Sequence, residues 1–214
     1  MLEWEGDVRA EGGVSTRSLA VRLEVSAASA TNMLKKLDSL GLVDHVPYKG
    51  ASLTAEGRKI ALEVVRHHRL LETYLAEVVG LPWDEVHAEA EVLEHHLSEN
   101  LEDRIASLLG DPDSDPHGHP IPAKDGSMRN ASDERLWDAP DEATVLVERV
   151  SDEEPAALRY LAEAGIRPGV RLEVLRRGPL DGPLFVRAVA VEGNVETALS
   201  RELAEAVWIS GARG

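Results

Sequence analysis

The stretch His87-Ala-Glu-Ala-Glu-Val-Leu-Glu-His-His-Leu-Ser-Glu-Asn-Leu-Glu-Asp-Arg104 places imidazoles and carboxylates at helical spacing. At roughly 100° per residue, His87, Glu91, Glu94 and His95 share roughly a 100° arc of one helix face, where their side chains can converge on a divalent cation. Beside that arc runs an apolar stripe, Val86, Ala90, Leu93, Leu97, Leu101, Ile105 and Leu108, the pattern of a helix facing a core or a partner. Carboxylates and imidazoles that border buried surface must be solvated, paired or metallated, because each left half-buried and unpaired is costly. The competing reading is a solvated face on an ordinary amphipathic helix. One helix is predicted from about Glu85 to near Gly110, entered through Gly80-Leu-Pro-Trp-Asp-Glu85, whose proline and acids suit a helix start.

Upstream, a long helix is expected from Thr54 to about Val79, with Ile60, Val64, His68, Leu71, Leu75 and Val78 on its inner face. His68 and Glu72 form an i, i+4 pair on it that can point at the ligand face of the next helix. A lone histidine there would read as a satisfied core residue, and the second ligand set nearby favours the metal reading. His67 and His96 read as solvent-facing or interface residues.

Nearer the N-terminus, Val14 to Val43 fits two short helices. Ser15 or Thr16 caps the first, with Leu19, Ala20 and Leu23 inward; Ser26 caps the second, with Ala30, Met33, Leu34 and Leu37 inward and Gly41 ending it. This is a helix-turn-helix pattern. Ser26, Ala28, Ser29, Thr31 and Asn32 offer small groups, hydroxyls and an amide for base edges, and Lys35 and Lys36 offer cations for phosphates. Two short apolar segments around Pro47-Tyr-Lys-Gly50 then predict a wing, whose Lys49 would lie close to a DNA backbone.

Downstream, residues 111–141 hold five of the eleven prolines and read as a loop and tether in which His117 and His119 are simple loop polarity. Residues 143–150, 170–175 and 184–191 alternate or run apolar between turn signals, a short helix from Pro155 to Ala164 interrupts them, and a five-stranded barrel follows. With no cysteine, any metal is held by nitrogen and oxygen ligands. No apolar run reaches the roughly 18 residues of a membrane span and no signal-peptide order opens the chain, so a cytoplasmic protein is expected. The net charge of −16 is uneven: residues 1–60 carry eight acids and eight bases, and the whole excess lies beyond them. A neutral head on an acidic body suits a cation-responsive device that meets DNA.

The whole chain resembles the diphtheria-toxin-repressor family of metal-dependent transcriptional regulators. The likeness rests on the winged helix, on Arg66-His-His-Arg-Leu-Leu-Glu72, on Val86-His-Ala-Glu-Ala-Glu…Glu-His-His-Leu-Ser98, on His117-Gly-His-Pro-Ile-Pro122 and on the terminal barrel. It implies an α+β chain in which residues 1–60 form a winged helix-turn-helix, 61–125 a helical dimerisation and metal-binding domain, 126–142 a tether and 143–214 an SH3-like, FeoA-like β-barrel. It further implies a homodimer on a palindromic operator in double-stranded DNA, with no membrane partner. Glu91, Glu94 and His95 match the primary metal site; His68, Glu72 and His87 match the ancillary one, to which Glu154 adds a ligand from the barrel, while Ala157 occupies a ligand position and cannot bind. Glu91 stands where iron-responsive members have cysteine. A hard carboxylate there favours Mn²⁺, with Fe²⁺ the alternative. The resemblance also implies a first helix supplying one or two primary ligands; it is missing ahead of Leu2-Glu-Trp-Glu5, which suggests a late start. A helical metalloenzyme is the competing class, disfavoured because Glu94 is followed at i+3 by Leu97 where such bundles carry histidine.

Overall fold

The computed structural model describes residues 13–46, 49–189 and 196–213; the implied first helix and the wing tip at Pro47 and Tyr48 lie outside them. The chain divides into two compact units, residues 1–64 and 65–214.

In the first unit, α1 (Thr16–Arg22) and α2 (Ala27–Ser39) are each opened by a serine that accepts a backbone N–H, Ser15 from Ser18 and Ser26 from Ser29. These caps satisfy donors that a helix start leaves orphaned. Beyond Gly41, β1 (Val43–Val46) and β2 (Gly50–Leu53) pair antiparallel with Val43 opposite Leu53, and Val14 bridges to Ala51. Helix α3 (Ala55–Tyr74) follows. Thr54 opens it by donating to Gly41 O at 2.7 Å and accepting from Gly57 N at 3.1 Å. Gly57 is required there: a Cβ would lie 1.8 Å from the Leu42 carbonyl oxygen.

In the second unit α3 ends in a π turn, Leu75–Val79, closed by Gly80 at φ 81°. Its buried residues include His67, His68, Leu70, Leu71, Glu72 and Leu75, whereas the predicted inner residues Ile60, Val64 and Val78 are exposed. The single helix expected over 85–110 is two. Helix α4 (Val86–Leu93) passes through a 3-10 turn, Glu94–His96, to an extended Leu97, and α5 (Glu99–Leu108) starts afresh on the Ser98 cap. The break also divides the apolar stripe. Val86, Ala90 and Ile105 pack with Leu70, Leu71, Leu75 and Ile121, while Leu93, Leu101 and Leu108 are exposed and edge an apolar groove of about 350 Å³.

The C-terminal part is an antiparallel sheet of five strands, β3 (Thr144–Val150), β4 (Arg171–Arg177), β5 (Leu184–Ala188), β6 (Glu196–Leu199) and β7 (Val207–Arg213), in the order β6-β5-β4-β3-β7. Helix α6 (Pro155–Glu163) and the short α7 (Arg201–Glu205) complete it. Alternate residues of β3 (Val145, Val147), β4 (Leu172, Val174) and β5 (Leu184, Val186) are buried against Leu158, Leu161 and Ile209. Closure into the expected barrel is not confirmed: among the described residues no pairing of β6 with β7 is found.

Candidate metal centre

Four side chains from three segments meet inside the second unit. His68 and Glu72 come from α3, one turn apart; His87 comes from the first turn of α4; Asp152 comes from the turn after β3. His68 Nε2 lies 2.9 Å from Glu72 Oε1 and 3.1 Å from His87 Nδ1, His87 Nδ1 lies 3.0 Å from the same Glu72 oxygen, and Asp152 Oδ2 is 3.3 Å from His87 Nδ1. Ligand atoms at about 2.1 Å from one divalent ion in octahedral geometry stand about 3 Å apart, so the quartet has the spacing of one face of a coordination shell. The His68 ring is oriented from behind: Glu94 Oε2 is 2.7 Å from His68 Nδ1, which leaves Nε2 turned inward. Glu91 Oε1, 3.7 Å from His87 Nε2, is too far for a hydrogen bond.

The cluster continues on its other side. Buried Glu72 Oε2, His117 Nδ1, Asp152 Oδ1 and His119 Nε2 find no hydrogen-bond partner among the described residues. His117 Nδ1 stands 3.8 Å from Glu72 Oε2 and 4.0 Å from Asp152 Oδ2, too far for a hydrogen bond and suited to atoms that share an ion. Buried polar groups are ordinarily satisfied, so these orphans fit a cation. Asp115 also lies beside His117 and His119, but its oxygens are engaged: Oδ1 accepts from the backbone of both histidines, and Oδ2 faces His119 Nδ1 and Arg69. It shapes the turn.

Three family models match the chain: the iron dependent repressor N-terminal DNA binding domain over residues 8–51, the iron dependent repressor metal binding and dimerisation domain over 54–123, and the FeoA domain over 135–211. The iron-dependent repressor IdeR of Mycobacterium leprae is 34% identical over 217 residues, covering 95% of this chain and 92% of that protein. The chain belongs to the diphtheria-toxin-repressor family. A solved manganese-dependent transcriptional repressor in complex with manganese is 43% identical, with a TM-score of 0.88 over 96% of this chain and 94% of that one. The HTH-type transcriptional regulator MntR of Oceanobacillus iheyensis is 36% identical over 102 residues, 48% of this chain and 69% of its own length. Family members are metal-dependent transcriptional repressors, not enzymes, which removes the metalloenzyme reading.

Within that family, the structure gathers His68, Glu72 and His87 and differs from the sequence reading elsewhere. Glu154 does not reach the cluster; it is exposed and caps α6, accepting from Ala156 N, and Asp152 stands in its place. Of Glu91, Glu94 and His95, the last two stay close across the 3-10 turn, with Glu94 Oε1 3.8 Å from His95 Nε2. Glu94 is buried against His68, whereas the Glu91 and His95 side chains are 57% and 71% exposed. His117 and His119, read as loop polarity, are fully buried, and His67 is buried against Glu102 at 3.1 Å. The missed signal at His117 was a histidine pair around a glycine; Asp152 carried none, since a single aspartate after a strand is common.

Of the DNA-facing candidates, Ala28, Ser29, Asn32, Lys35, Lys36 and Lys49 are exposed. Ser26 is occupied as the α2 cap, and Thr31 donates to Ala27 O at 2.7 Å.

Without a cation the cluster holds protons. Burial pushes His68, His87 and His117 down, yet the carboxylates beside them prevail: Glu72 and Glu94 raise His68 to about 9, Asp152 and Glu72 raise His87 to about 10, and Glu72 raises His117 to about 9. Burial likewise pushes the acids up, and the imidazoles overcome it, holding Glu72 well below the carboxylate range and Asp152 at about 2. The raised imidazoles stabilise the metal-free fold fully below pH 6.5, and that contribution is lost as pH rises through 9 to 10. The depressed acids contribute above about pH 4 and lose it on acidification. Metal-free protein should therefore melt at lower temperature as pH rises from 7 to 10, while Mn²⁺ affinity rises over the same range because binding displaces protons. Thermal melts with and without Mn²⁺ test this; parallel pH profiles would refute it.

Proposed function

We propose that this protein is a homodimeric, Mn²⁺-activated repressor of metal-uptake genes that binds a palindromic operator. The observation that carries the metal assignment is the donor set: two imidazoles and two carboxylates within 3.3 Å contacts, with no thiolate anywhere in the chain. Hard oxygen and nitrogen donors favour Mn²⁺ as far as ligand type decides, and Fe²⁺ is the second reading because the same donors accept it. His68, Glu72, His87 and Asp152 hold the first ion, and His117 with the outer oxygens of Glu72 and Asp152 holds a second. The bound cation supplies positive charge that replaces the protons among these acids. The groove edged by Leu93, Leu101 and Leu108 takes the same face of a second copy, since exposed leucines in one band are what an isologous contact buries. Asn32, with Ser26, Ala28, Ser29 and Thr31, reads bases, and Lys35, Lys36 and Lys49 meet phosphates.

The test is operator binding by fluorescence anisotropy at fixed salt, titrated anaerobically with Mn²⁺ or Fe²⁺, with sedimentation of the same samples. Tight binding in Mn²⁺ that chelator reverses, by a dimer, is the expected result. Equal or stronger activation by Fe²⁺ would transfer the assignment to iron, and binding indifferent to metal would sink it.

A further inference from the structure

His117 can serve as a ligand only if its proton sits on the nitrogen that faces away from Glu72 and Asp152. In the structure that nitrogen, Nε2, is 2.7 Å from the carbonyl oxygen of Trp83, which can only accept. The imidazole also stacks on the Trp83 ring, with centroids 5.6 Å apart and planes 29° from parallel. Trp83 is held in turn by the C-terminal part of the chain. Its ring lies in the core of the β-sheet, the Arg167 guanidinium covers it at 4.4 Å from the centroid, and its neighbour Asp84 accepts from Arg159 of α6 at 2.8 Å. Three residues on, α4 begins and delivers His87.

We propose that Trp83 is the positioning residue for His117, setting its protonated nitrogen and ring plane so that Nδ1 is open to a cation, and that Arg167 ties this setting to the docked β-sheet. Metal occupancy at the His117 face then depends on the C-terminal sheet through one tryptophan, besides the direct ligand Asp152. Sequence order hides the link, because Trp83, His117 and Arg167 lie in three separate segments. The energetic logic is that of histidine ligands generally: the partner of the far nitrogen fixes tautomer and orientation, and its loss lowers affinity about 10–100-fold.

This inference rests on the reading of His117 as a ligand, so its experiment separates the two. Mn²⁺ is titrated into the full chain at fixed pH, free ion being read by its electron paramagnetic resonance signal, for wild type, His117→Ala, Trp83→Leu, Trp83→Phe and Arg167→Gln. The expected result is that His117→Ala removes one of two binding events. Trp83→Leu keeps the backbone carbonyl and removes the stacked ring with its Arg167 contact, so it should weaken that same event several-fold, less than the about 10–100-fold of losing the partner outright, and spare the other; Trp83→Phe, which keeps a stacking ring, should recover most of the loss. Arg167→Gln, at an exposed residue, guards against a Trp83→Leu protein that does not fold, and should weaken the same event by a smaller factor. If His117→Ala changes nothing, the ligand reading is wrong. If His117→Ala removes the event while Trp83→Leu and Arg167→Gln leave it intact, or if Trp83→Leu weakens both events equally, Trp83 is not a positioning residue.

Discussion

Glu72→Ala is expected to remove metal-dependent operator binding altogether, with Mn²⁺ affinity falling by about three orders of magnitude, roughly two successive losses of the 10–100-fold size seen for less direct partners. Glu72 is fully buried and stands at the centre of the cluster: Oε1 meets His68 and His87, and Oε2 faces His117. No other carboxylate described here serves both faces so closely. Its removal also strips buried His68 and His117 and half-buried His87 of their shared counter-charge, which for a buried pair costs about 3–5 kcal/mol. Glu72→Gln keeps the shape and separates the two effects: it should fold more stably than Glu72→Ala and still fail to bind Mn²⁺ tightly. Mn²⁺ titration, operator anisotropy and a denaturant melt on both variants make the check. Wild-type affinity in a folded Glu72→Ala protein would mean that the ion sits elsewhere.

The second large effect is expected at a residue that touches no ion. Gly118 lies between the two buried histidines at φ 90°, where side chains other than glycine are strained, and a Cβ there would stand 2.1 Å from the Glu148 carbonyl oxygen of β3. Neither obstacle yields easily, since the strand is fixed in the sheet and Val150 N donates to His117 O at 2.9 Å. Gly118→Ala should cost on the order of 4 kcal/mol, from backbone strain plus the displaced contact. It should also weaken Mn²⁺ binding at the His117 face, because the turn that presents the ring must lift off β3. Gly110→Ala provides the comparison: at φ 74°, with nothing within 4 Å of its added carbon, it should cost about 1 kcal/mol and leave metal binding alone. Equal denaturation midpoints for the two variants would contradict this account.

The sequence by itself determined the local structure of this protein and most of the chemistry it could use. Ser15 and Ser26 marked helix starts because a capping hydroxyl acts on donors two or three residues away. Ser98 carried the same signal, but the apolar stripe runs through it, and an uninterrupted period was read as one helix. The absence of cysteine fixed oxygen and nitrogen donors, and the histidine and glutamate spacing on two helices marked His68, Glu72 and His87.

Only the tertiary structure decided which groups meet. A helix period says that His87, Glu91, Glu94 and His95 share a face; it cannot say that the backbone leaves the α geometry at Glu94, so that one Glu94 oxygen is taken up by His68 while the other stays 3.8 Å from a largely exposed His95. Asp152 rather than the expected Glu154 joins the gathered side chains, because β3 ends just before it and α6 takes Glu154 as its cap. His117 and His119 looked like surface polarity, since burying imidazoles is unfavourable unless partners are supplied. Those partners, Asp115, Glu72 and the carbonyl of Trp83, come from a local turn and two distant segments brought together by packing. Local signals travel one helical turn along the chain, whereas a metal centre is assembled across 84 residues of sequence between His68 and Asp152.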